Sequence, residues 1–140
     1  MTAARWEHFE HQADIGLRGR GGTLDDAFAR IALALTAVVT DPESVRAERP
    51  VEIRCSALDP ESLLVDWLNA LVYEMAARRM LFSRFEVCLE KNDLRATAWG
   101  ESIEPDRHRP AVEVKAATYH GLKVERQPGG DWLVQCVVDV

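Results

Sequence analysis

Apolar residues recur at helical spacing in two segments of the chain. The first segment follows Thr23, a good helix N-cap, and ends at Asp41-Pro42, because the residue before a proline is pushed out of the helical region. The second follows Asp59, with Pro60 suited to the first helical position. This spacing predicts two helices, each burying one apolar stripe. The stripes are Leu24, Ala27, Phe28, Ile31, Leu35 and Val38 in the first helix, and Leu64, Trp67, Leu68, Leu71, Val72 and Met75 in the second.

Outside these helices, apolar and polar residues tend to alternate with a period of two, which is typical of strands with one buried face. Strands are predicted over residues 51–55, 85–89, 94–99, 112–116, 122–124 and 132–140, with two more before the first helix. They follow one another in hairpins, with turns at residues 91–93 and 128–131 and a bend at 120–121. We therefore expect an α+β fold: one domain over residues 1–140, with a mixed, mostly antiparallel sheet and both main helices packed on one face.

The composition and net charge fit one globular domain. The chain has 140 residues, of which 47% are hydrophobic and 29% charged. Asp and Glu number 23 against 17 Lys and Arg, which gives a net charge of −6 and argues against stable, general binding of nucleic acid. No apolar run reaches the ~20 residues of a membrane-spanning helix, and the N-terminal segment lacks the pattern of a secretory signal. We expect a cytoplasmic protein with no membrane partner.

Cysteine usage supports the same compartment. Cys55, Cys88 and Cys136 are odd in number and form no C-x-x-C motif. Each falls in an apolar, strand-like stretch, where a free cysteine packs as a small hydrophobic residue. We expect all three to be reduced core residues, as is usual in the cytoplasm.

Signatures of independent catalysis are weak. The glycine-rich residues 18–22 lack the G-K-[ST] ending of a phosphate-binding loop, and a turn into the first helix explains them. The four histidines show neither H-E-x-x-H nor zinc-finger spacing. No serine or cysteine has the local context of a hydrolase nucleophile. A free-standing hydrolase is therefore poorly supported.

Two aspartates differ from the solvated majority because they lie beside apolar stretches at the two ends of the chain. Asp14 lies between aliphatic residues, and Asp139 follows the last apolar strand, beside the terminal carboxylate of Val140. Together they would form an all-oxygen cluster suited to Ca²⁺, Mg²⁺ or Mn²⁺. Both aspartates could instead accept hydrogen bonds from backbone amides at strand ends, and the sequence alone favours that reading.

A set of motifs spread over the whole chain resembles the archease family. The match departs at Gln12, where threonine is usual, and this leaves the neighbouring acid in place. The matching motifs are HQADIGL (residues 11–17), TLDDAF (23–28), LVDWLN (64–69), GE (100–101), RH (107–108), VKAATYH (114–120) and DV (139–140).

The resemblance implies a small α+β protein that activates a GTP-dependent RNA ligase. That ligase joins 2′,3′-cyclic phosphate or 3′-phosphate ends to 5′-hydroxyl ends in tRNA splicing or RNA repair, through a guanylylated histidine and divalent metal ions. Carried over residue by residue, the metal ligands fall on Asp14, Asp139 and Val140, with calcium expected first and magnesium or manganese as alternatives. Lys115 and His11 could contact the ligase or support the site, and Lys115 could instead pair with one of the acids.

The acidic charge agrees with a partner that carries a basic, metal-containing active site, because opposite potentials steer association. We hypothesise that the carboxylate cluster reaches the ligase's metal-and-GTP site and orients or delivers a divalent cation for guanylylation. Two alternatives remain open: a metal-dependent phosphoesterase acting alone, and a chaperone or adaptor that binds calcium.

Overall fold

A computed structural model describes residues 5–11 and 14–140. Residues 1–4 lie outside the described part, as do Gln12 and Ala13 of the first matching motif. Within it, the strands are β1 (Trp6–His11), β2 (Asp14–Gly21), β3 (Arg49–Ser56), β4 (Met80–Glu90), β5 (Asp93–Ser102), β6 (Ala116–Ala117), β7 (Lys123–Arg126) and β8 (Trp132–Asp139). The helices are α1 (Leu24–Val39), α2 (Pro60–Arg78) and the short α3 (Pro105–His108), with a 3-10 turn at Pro42–Ser44.

The two main helices begin where the sequence predicts. The Thr23 hydroxyl accepts a hydrogen bond from the Asp26 N–H at 3.1 Å, and the Asp59 carboxylate accepts one from the Ser62 N–H at 2.7 Å. Both apolar stripes face the core, and the buried indole Nε1 of Trp67 donates to the Phe28 carbonyl oxygen at 3.0 Å. This hydrogen bond joins α2 to α1 inside the core.

The strands are divided between two sheets. The five-stranded sheet has the order β1-β2-β8-β6, with β7 also pairing with β8, and the three-stranded sheet has the order β3-β5-β4. Every strand pair in the described residues is antiparallel. Helix α1 packs against β2 of one sheet and β4 of the other, and a single hydrophobic core spans both. The predicted α+β class is confirmed, but the strands form two sheets where we expected one.

The prediction of a strand over residues 112–116 is wrong except at residue 116. Only Ala116–Ala117 pairs with β8, and the preceding residues form an extended loop. The Ala111 N–H donates to the Val39 carbonyl and the Lys115 N–H donates to the Asp139 carbonyl, both at 2.8 Å. The period-two pattern there records one buried side chain, Val114, and the loop reaches β8 only at Lys115, beside the end of that strand.

The expectation that all three cysteines are core residues is also wrong in part. All three are free, but only Cys136 is buried, whereas Cys55 is half-buried and Cys88 is exposed. Cys88 lies on the outward face of β4, where alternate side chains point to solvent.

Two motif glycines are explained by close approach of other groups. A Cβ atom at Gly16 would overlap the ring of Phe9, its cross-strand partner on β1. A Cβ atom at Gly100 would overlap the carbonyl oxygen of Leu81 on β4. A larger residue at Gly100 would push the backbone of β4 away, whereas one at Gly16 would require the Phe9 ring to move.

No helix in the described part of the chain combines the length and the apolar character needed to cross a membrane.

Candidate functional site

The pairing of β2 with β8 brings the two ends of the chain together. The antiparallel ladder extends as far as the pair Ile15–Val138. The same register, continued by one residue, sets Asp14 opposite Asp139. Asp14 is also the cross-strand partner of His11 on β1, and Asp139 is the partner of Ala116 on β6. These four residues form one row at the end of the five-stranded sheet, which we call the acidic edge.

The remaining predicted residues flank this row. Lys115 is exposed, and its backbone N–H donates to the Asp139 carbonyl oxygen at 2.8 Å. Val140 is half-buried and packs against the hydrophobic core, so its terminal carboxylate is held next to Asp139. All five residues singled out from the sequence, namely His11, Asp14, Lys115, Asp139 and Val140, therefore gather at the acidic edge.

The charged side chains of the acidic edge have no hydrogen-bond or ion-pair partner in the described part of the chain. Within residues 5–11 and 14–140, neither the Asp14 nor the Asp139 carboxylate accepts a hydrogen bond, and Lys115 makes no ion pair with either. Two carboxylates with no protein donor repel each other, which costs stability unless water or a cation compensates. Asp139 is exposed and Asp14 is half-buried, so water or a cation can reach both carboxylates.

His11 adds a nitrogen to the edge. Its ring lies 6.2 Å from the ring of His120, centroid to centroid, in a stacked arrangement. Its Nδ1 atom is buried and has no hydrogen-bond partner in the described part of the chain. A buried ring nitrogen without a partner is unusual, and this one belongs to a residue of the acidic edge.

The donor set fits a hard divalent cation. Asp14, Asp139 and the Val140 terminus offer only carboxylate oxygens, which are the ligands that Ca²⁺ and Mg²⁺ prefer. The described residues contain no group of three His, Cys, Asp or Glu side chains arranged to hold a metal ion.

Asn69 positions the acidic edge from the core side, a role that the sequence analysis missed. Its Oδ1 atom accepts a hydrogen bond from the Ala117 N–H at 2.8 Å, which ties β6 to α2. On the other side of β6, the Thr118 N–H and hydroxyl both donate to the Val137 carbonyl oxygen at 2.9 Å. The only early signal was the occurrence of Asn69 in a matching motif.

A second cluster, also missed, surrounds the buried carboxylate of Glu101. Arg107 donates to both of its oxygens at 2.8 Å, and the Arg46 backbone N–H donates to Oε2 at the same distance. His108 Nε2 lies 2.9 Å from that oxygen, while its Nδ1 accepts from the Glu104 N–H at 2.8 Å. A neutral imidazole with its proton on Nε2 satisfies both contacts.

These contacts favour the ionised form of Glu101. The hydrogen bonds from Arg107 hold the pKa of Glu101 well below its usual range, with smaller contributions from Arg46 and His108, while burial acts in the opposite direction. The same pairing raises the pKa of Arg107 further. Arg107 also donates to the Ser44 carbonyl at 2.6 Å, so the cluster ties α3 to the turn that follows α1. The loop that leads to Lys115 begins at the end of α3.

The comparisons with known proteins cover nearly the whole chain. The model of the Archease protein family matches residues 6–140. The protein archease of Pyrococcus furiosus is 42% identical over 140 residues, covering 97% of this chain and 99% of that protein. The protein archease of Methanopyrus kandleri is also 42% identical, over 139 residues that cover 96% of this chain and 99% of the relative.

Solved structures agree in fold. The solution structure of a protein from Methanobacterium thermoautotrophicum superimposes with a TM-score of 0.84 at 31% identity, covering 96% of this chain and 98% of that chain. The crystal structure of a Thermotoga maritima archease, described as a possible chaperone, has a TM-score of 0.60 at 22% identity, with 96% of both chains covered. At that identity, the second likeness concerns the fold alone.

Proposed function

The chain belongs to the archease family, and we propose that it activates a GTP-dependent RNA ligase. The ligase would join 2′,3′-cyclic phosphate or 3′-phosphate ends to 5′-hydroxyl ends, in tRNA splicing or RNA repair. The chain would speed guanylylation of the ligase and allow it to turn over repeatedly, without catalysing a reaction of its own. The observation that carries this proposal is the pair of uncommitted carboxylates, Asp14 and Asp139, at one edge of the sheet.

Charge supports an encounter with a basic protein surface. The chain carries a net charge of −6, and the acidic edge offers carboxylates that need no internal ion pair to be broken before they meet a partner. Long-range attraction of this kind raises association rates and weakens with added salt. The ligase's active site, which binds metal ions and GTP phosphates, is the surface that such an edge would approach.

The metal part of the proposal rests on the donor set. Asp14, Asp139 and the Val140 carboxylate would hold one divalent cation, with calcium first and magnesium or manganese as alternatives. When bound, the cation would offset the repulsion among the carboxylates and supply positive charge to phosphate oxygens. The Val140 side chain packs against the core and would hold the third carboxylate in place. Lys115 is exposed and would contact the partner.

Progress curves of the ligase test the proposal. The purified ligase of the same organism is given excess RNA with 3′-phosphate and 5′-hydroxyl ends, together with a substoichiometric amount of this chain. We expect joining to continue past one product per ligase and the guanylylation rate to rise. Equal progress curves with and without the chain would overturn the activator role. Release of phosphate from the RNA by the chain alone would favour a phosphoesterase instead.

A variant pair ties the effect to the acidic edge. Asp14→Ala should abolish stimulation while leaving the fold intact, because it removes a carboxylate and no core volume. Asp131→Ala is the matched control, since Asp131 is an exposed aspartate whose side chain has no hydrogen bond in the described structure. If Asp14→Ala stimulates as well as Asp131→Ala, the edge carboxylate has no part in activation.

A further inference from the structure

Strand β1 forms an open edge of the five-stranded sheet. Within the described residues it pairs with β2 alone, and Arg5 and Arg20 exchange both of their backbone hydrogen bonds just before it begins. Hydrogen-bonded and non-hydrogen-bonded pairs alternate along an antiparallel ladder, so the N–H and C=O groups of Trp6, His8 and Glu10 point away from β2. All three residues are exposed. Their backbone groups form a row of donors and acceptors, which we call the β1 edge.

The other sheet edges in the described part of the chain each carry a feature that hinders pairing with a further strand. Strand β3 contains Pro50, which has no N–H, and β4 has a register shift between Phe82 and Arg84. Strands β6 and β7 are only two and four residues long. Proline, bulges and short strands are the usual devices that prevent edge-to-edge association. Strand β1 has none of these three, since it is six residues long, lacks proline and keeps a continuous register with β2.

The sequence of β1 is complementary to itself in the antiparallel orientation. When Phe9 lies opposite Phe9 of a second copy, Glu10 lies opposite His8 and Glu7 lies opposite His11, and symmetry repeats both pairs. In this register the outward backbone groups of His8 meet those of Glu10, so their hydrogen bonds can form. The two neighbouring registers with the same hydrogen-bond pattern oppose His8 to His8 or Glu10 to Glu10. Cross-strand pairs of unlike charge stabilise a strand pair and like charges destabilise it, which favours the register centred on Phe9.

The side chains of His8 and Glu10 are available for this pairing. Glu10 has no ion pair and no side-chain hydrogen bond within residues 5–11 and 14–140. The Nε2 atom of His8 lies 2.8 Å from the Ala34 carbonyl oxygen, to which it donates. This leaves Nδ1 of His8 for the Glu10 carboxylate of a second copy. Glu7 already accepts a hydrogen bond from Arg18 at 2.8 Å, so its pairing with His11 would add less.

The Phe9 ring leaves the centre of the β1 edge open. It leans towards β2, because a Cβ atom at Gly16 would overlap it, and the Arg18 guanidinium lies over its face at 4.3 Å from the ring centroid. Two copies of the ring therefore turn away from each other, each over its own sheet. The two strands can approach at Phe9 without a clash between the rings.

We propose that the β1 edge is a dimerisation surface, at which β1 pairs antiparallel with β1 of a second copy of this chain. Phe9 lies at the two-fold axis, and the two five-stranded sheets join into one continuous sheet. The His11 ends of the two strands, and with them the two acidic edges, lie about 13 Å apart along the strand direction, four residues at ~3.3 Å each. The paired segment is short, so the dimer is weak and depends on concentration. It needs no RNA ligase, and its test is independent of the proposed function.

Sedimentation equilibrium of the full chain tests the association. We expect the average mass to rise from that of the monomer towards twice that value as the concentration is raised. His8→Pro should remain monomeric, because it removes an outward N–H and its ring blocks the β1 edge, while the bonds to β2 are kept. His8→Ala is the matched control, since it keeps the N–H and should still associate. A native chain that is monomeric at every concentration, or equal association of His8→Pro and the native chain, would overturn the dimer.

Cysteine cross-linking tests the register without depending on the proline variant. Cys88→Ser first removes the exposed thiol of the chain. In that background, Phe9→Cys places two sulfurs at the two-fold axis, where opposed Cα atoms of a non-hydrogen-bonded pair lie about 4.5 Å apart, within reach of a disulfide. Glu7→Cys is the control, because its two Cα atoms would be about 13 Å apart. Oxidised glutathione should link Phe9→Cys into dimers and leave Glu7→Cys unlinked, and equal cross-linking of both would overturn the register.

Hydrogen exchange distinguishes a second copy from a different partner at the same edge. The outward amides of His8 and Glu10 should become protected as the concentration of the chain alone is raised. The amides of Glu7 and Phe9, which already face β2, should change less and serve as the internal control. If His8 and Glu10 gain protection only when the RNA ligase is added, the β1 edge is a ligase contact and the proposed dimer is wrong.

Discussion

The Oδ1 atom of Asn69 accepts a hydrogen bond from the backbone N–H of Ala117, and this contact connects helix α2 to the acidic edge. Strand β6 is only two residues long, so its pairing with β8 supplies little hold of its own. Lys115 lies immediately before this strand. The amide of Asn69 thus fixes the place at which Lys115 leaves the sheet beside Asp139.

Replacing Asn69 with Ala should loosen β6 without unfolding the chain. The expected loss is about 1 kcal/mol of unfolding free energy, the usual net value of one hydrogen bond. Hydrogen exchange at the Ala117 amide should accelerate, and ligase stimulation should fall because β6 and the adjacent Lys115 are held less firmly beside Asp139, by the Lys115–Asp139 hydrogen bond and the β8 pairing alone.

Asn92→Ala provides the control for this change. It removes a similar contact, the hydrogen bond from the Asn92 amide to the Leu58 carbonyl at 2.9 Å, from an exposed turn of the other sheet. Equal stimulation by the Asn69 and Asn92 variants would show that β6 needs no support from α2.

The Trp67→Ala substitution should cost about 3–5 kcal/mol of unfolding free energy, since it empties a fully buried position and removes the hydrogen bond to Phe28. Urea denaturation followed by circular dichroism measures this loss. Tyr73→Ala on the same helix is the control, because the Tyr73 side chain is 66% exposed and its loss should change stability by less than about 0.5 kcal/mol. Similar midpoints for both variants would contradict the assigned buried face of α2.

The Glu101 cluster predicts a particular pH dependence. A carboxyl group whose pKa is lowered by folding stabilises the native state above the pKa of the unfolded chain, and this contribution is lost as the pH falls. The ordinary glutamate value is 4.5, and the pairing with Arg107 holds the pKa of folded Glu101 well below it. The contribution of Glu101 should therefore be constant from pH 7 to about pH 5 and decline below the ordinary value.

Glu101→Gln tests this dependence. At pH 7 the variant should lose about 2–3 kcal/mol, between the values of surface and buried ion pairs, because 28% of the Arg107 side chain stays exposed. The difference from the native chain should shrink as the pH is lowered towards 3. Glu86→Gln, which breaks an exposed pair with Arg84, should cost under about 1 kcal/mol at every pH. A pH-independent difference for Glu101 would show that its charge is not what stabilises the fold.

The local features of this fold could be predicted from the sequence, and the long-range pairings could not. Thr23 and Asp59 cap their helices through residues three positions away, so the cap and the periodicity are visible together in the chain. The loop at residues 111–115 shows the limit. Its alternation is that of a strand, but pairing depends on which strand edge remains available after the rest of the sheet has formed.

The same distinction applies to the candidate site. Asp14 and Asp139 stood out because each is a charge beside apolar residues, but their adjacency follows from the register of β2 with β8. Glu101 gave no such signal, since the Arg46 N–H that donates to it and the Ser44 carbonyl that accepts from its partner Arg107 are far away in the chain. The sequence shows that a charged residue is buried only when the groups that pair with it are known.

The proposed cation site makes a prediction about the chain end. A ligand that binds only the native state raises the unfolding free energy, by about 2.7 kcal/mol at one hundred times its dissociation constant. Calcium should therefore raise the thermal midpoint of the native chain, with magnesium and manganese tested in parallel. Asp139→Asn should reduce this gain, since it removes one carboxylate charge at the acidic edge.

A short tag fused after Val140 should also weaken cation binding, because it converts the terminal carboxylate into an amide and leaves Asp14 and Asp139 as the only charged donors. The same tag fused before Met1 is the control, as it adds the same residues and retains the carboxylate. Calorimetric titration with calcium should give a dissociation constant at least tenfold weaker for the C-terminally tagged chain, and ligase stimulation should fall with it. The fold should survive, since the Val140 side chain still packs against the core. If both tagged forms bind calcium equally, the third donor is not the Val140 carboxylate, and a site at this edge would rest on the two aspartates and water.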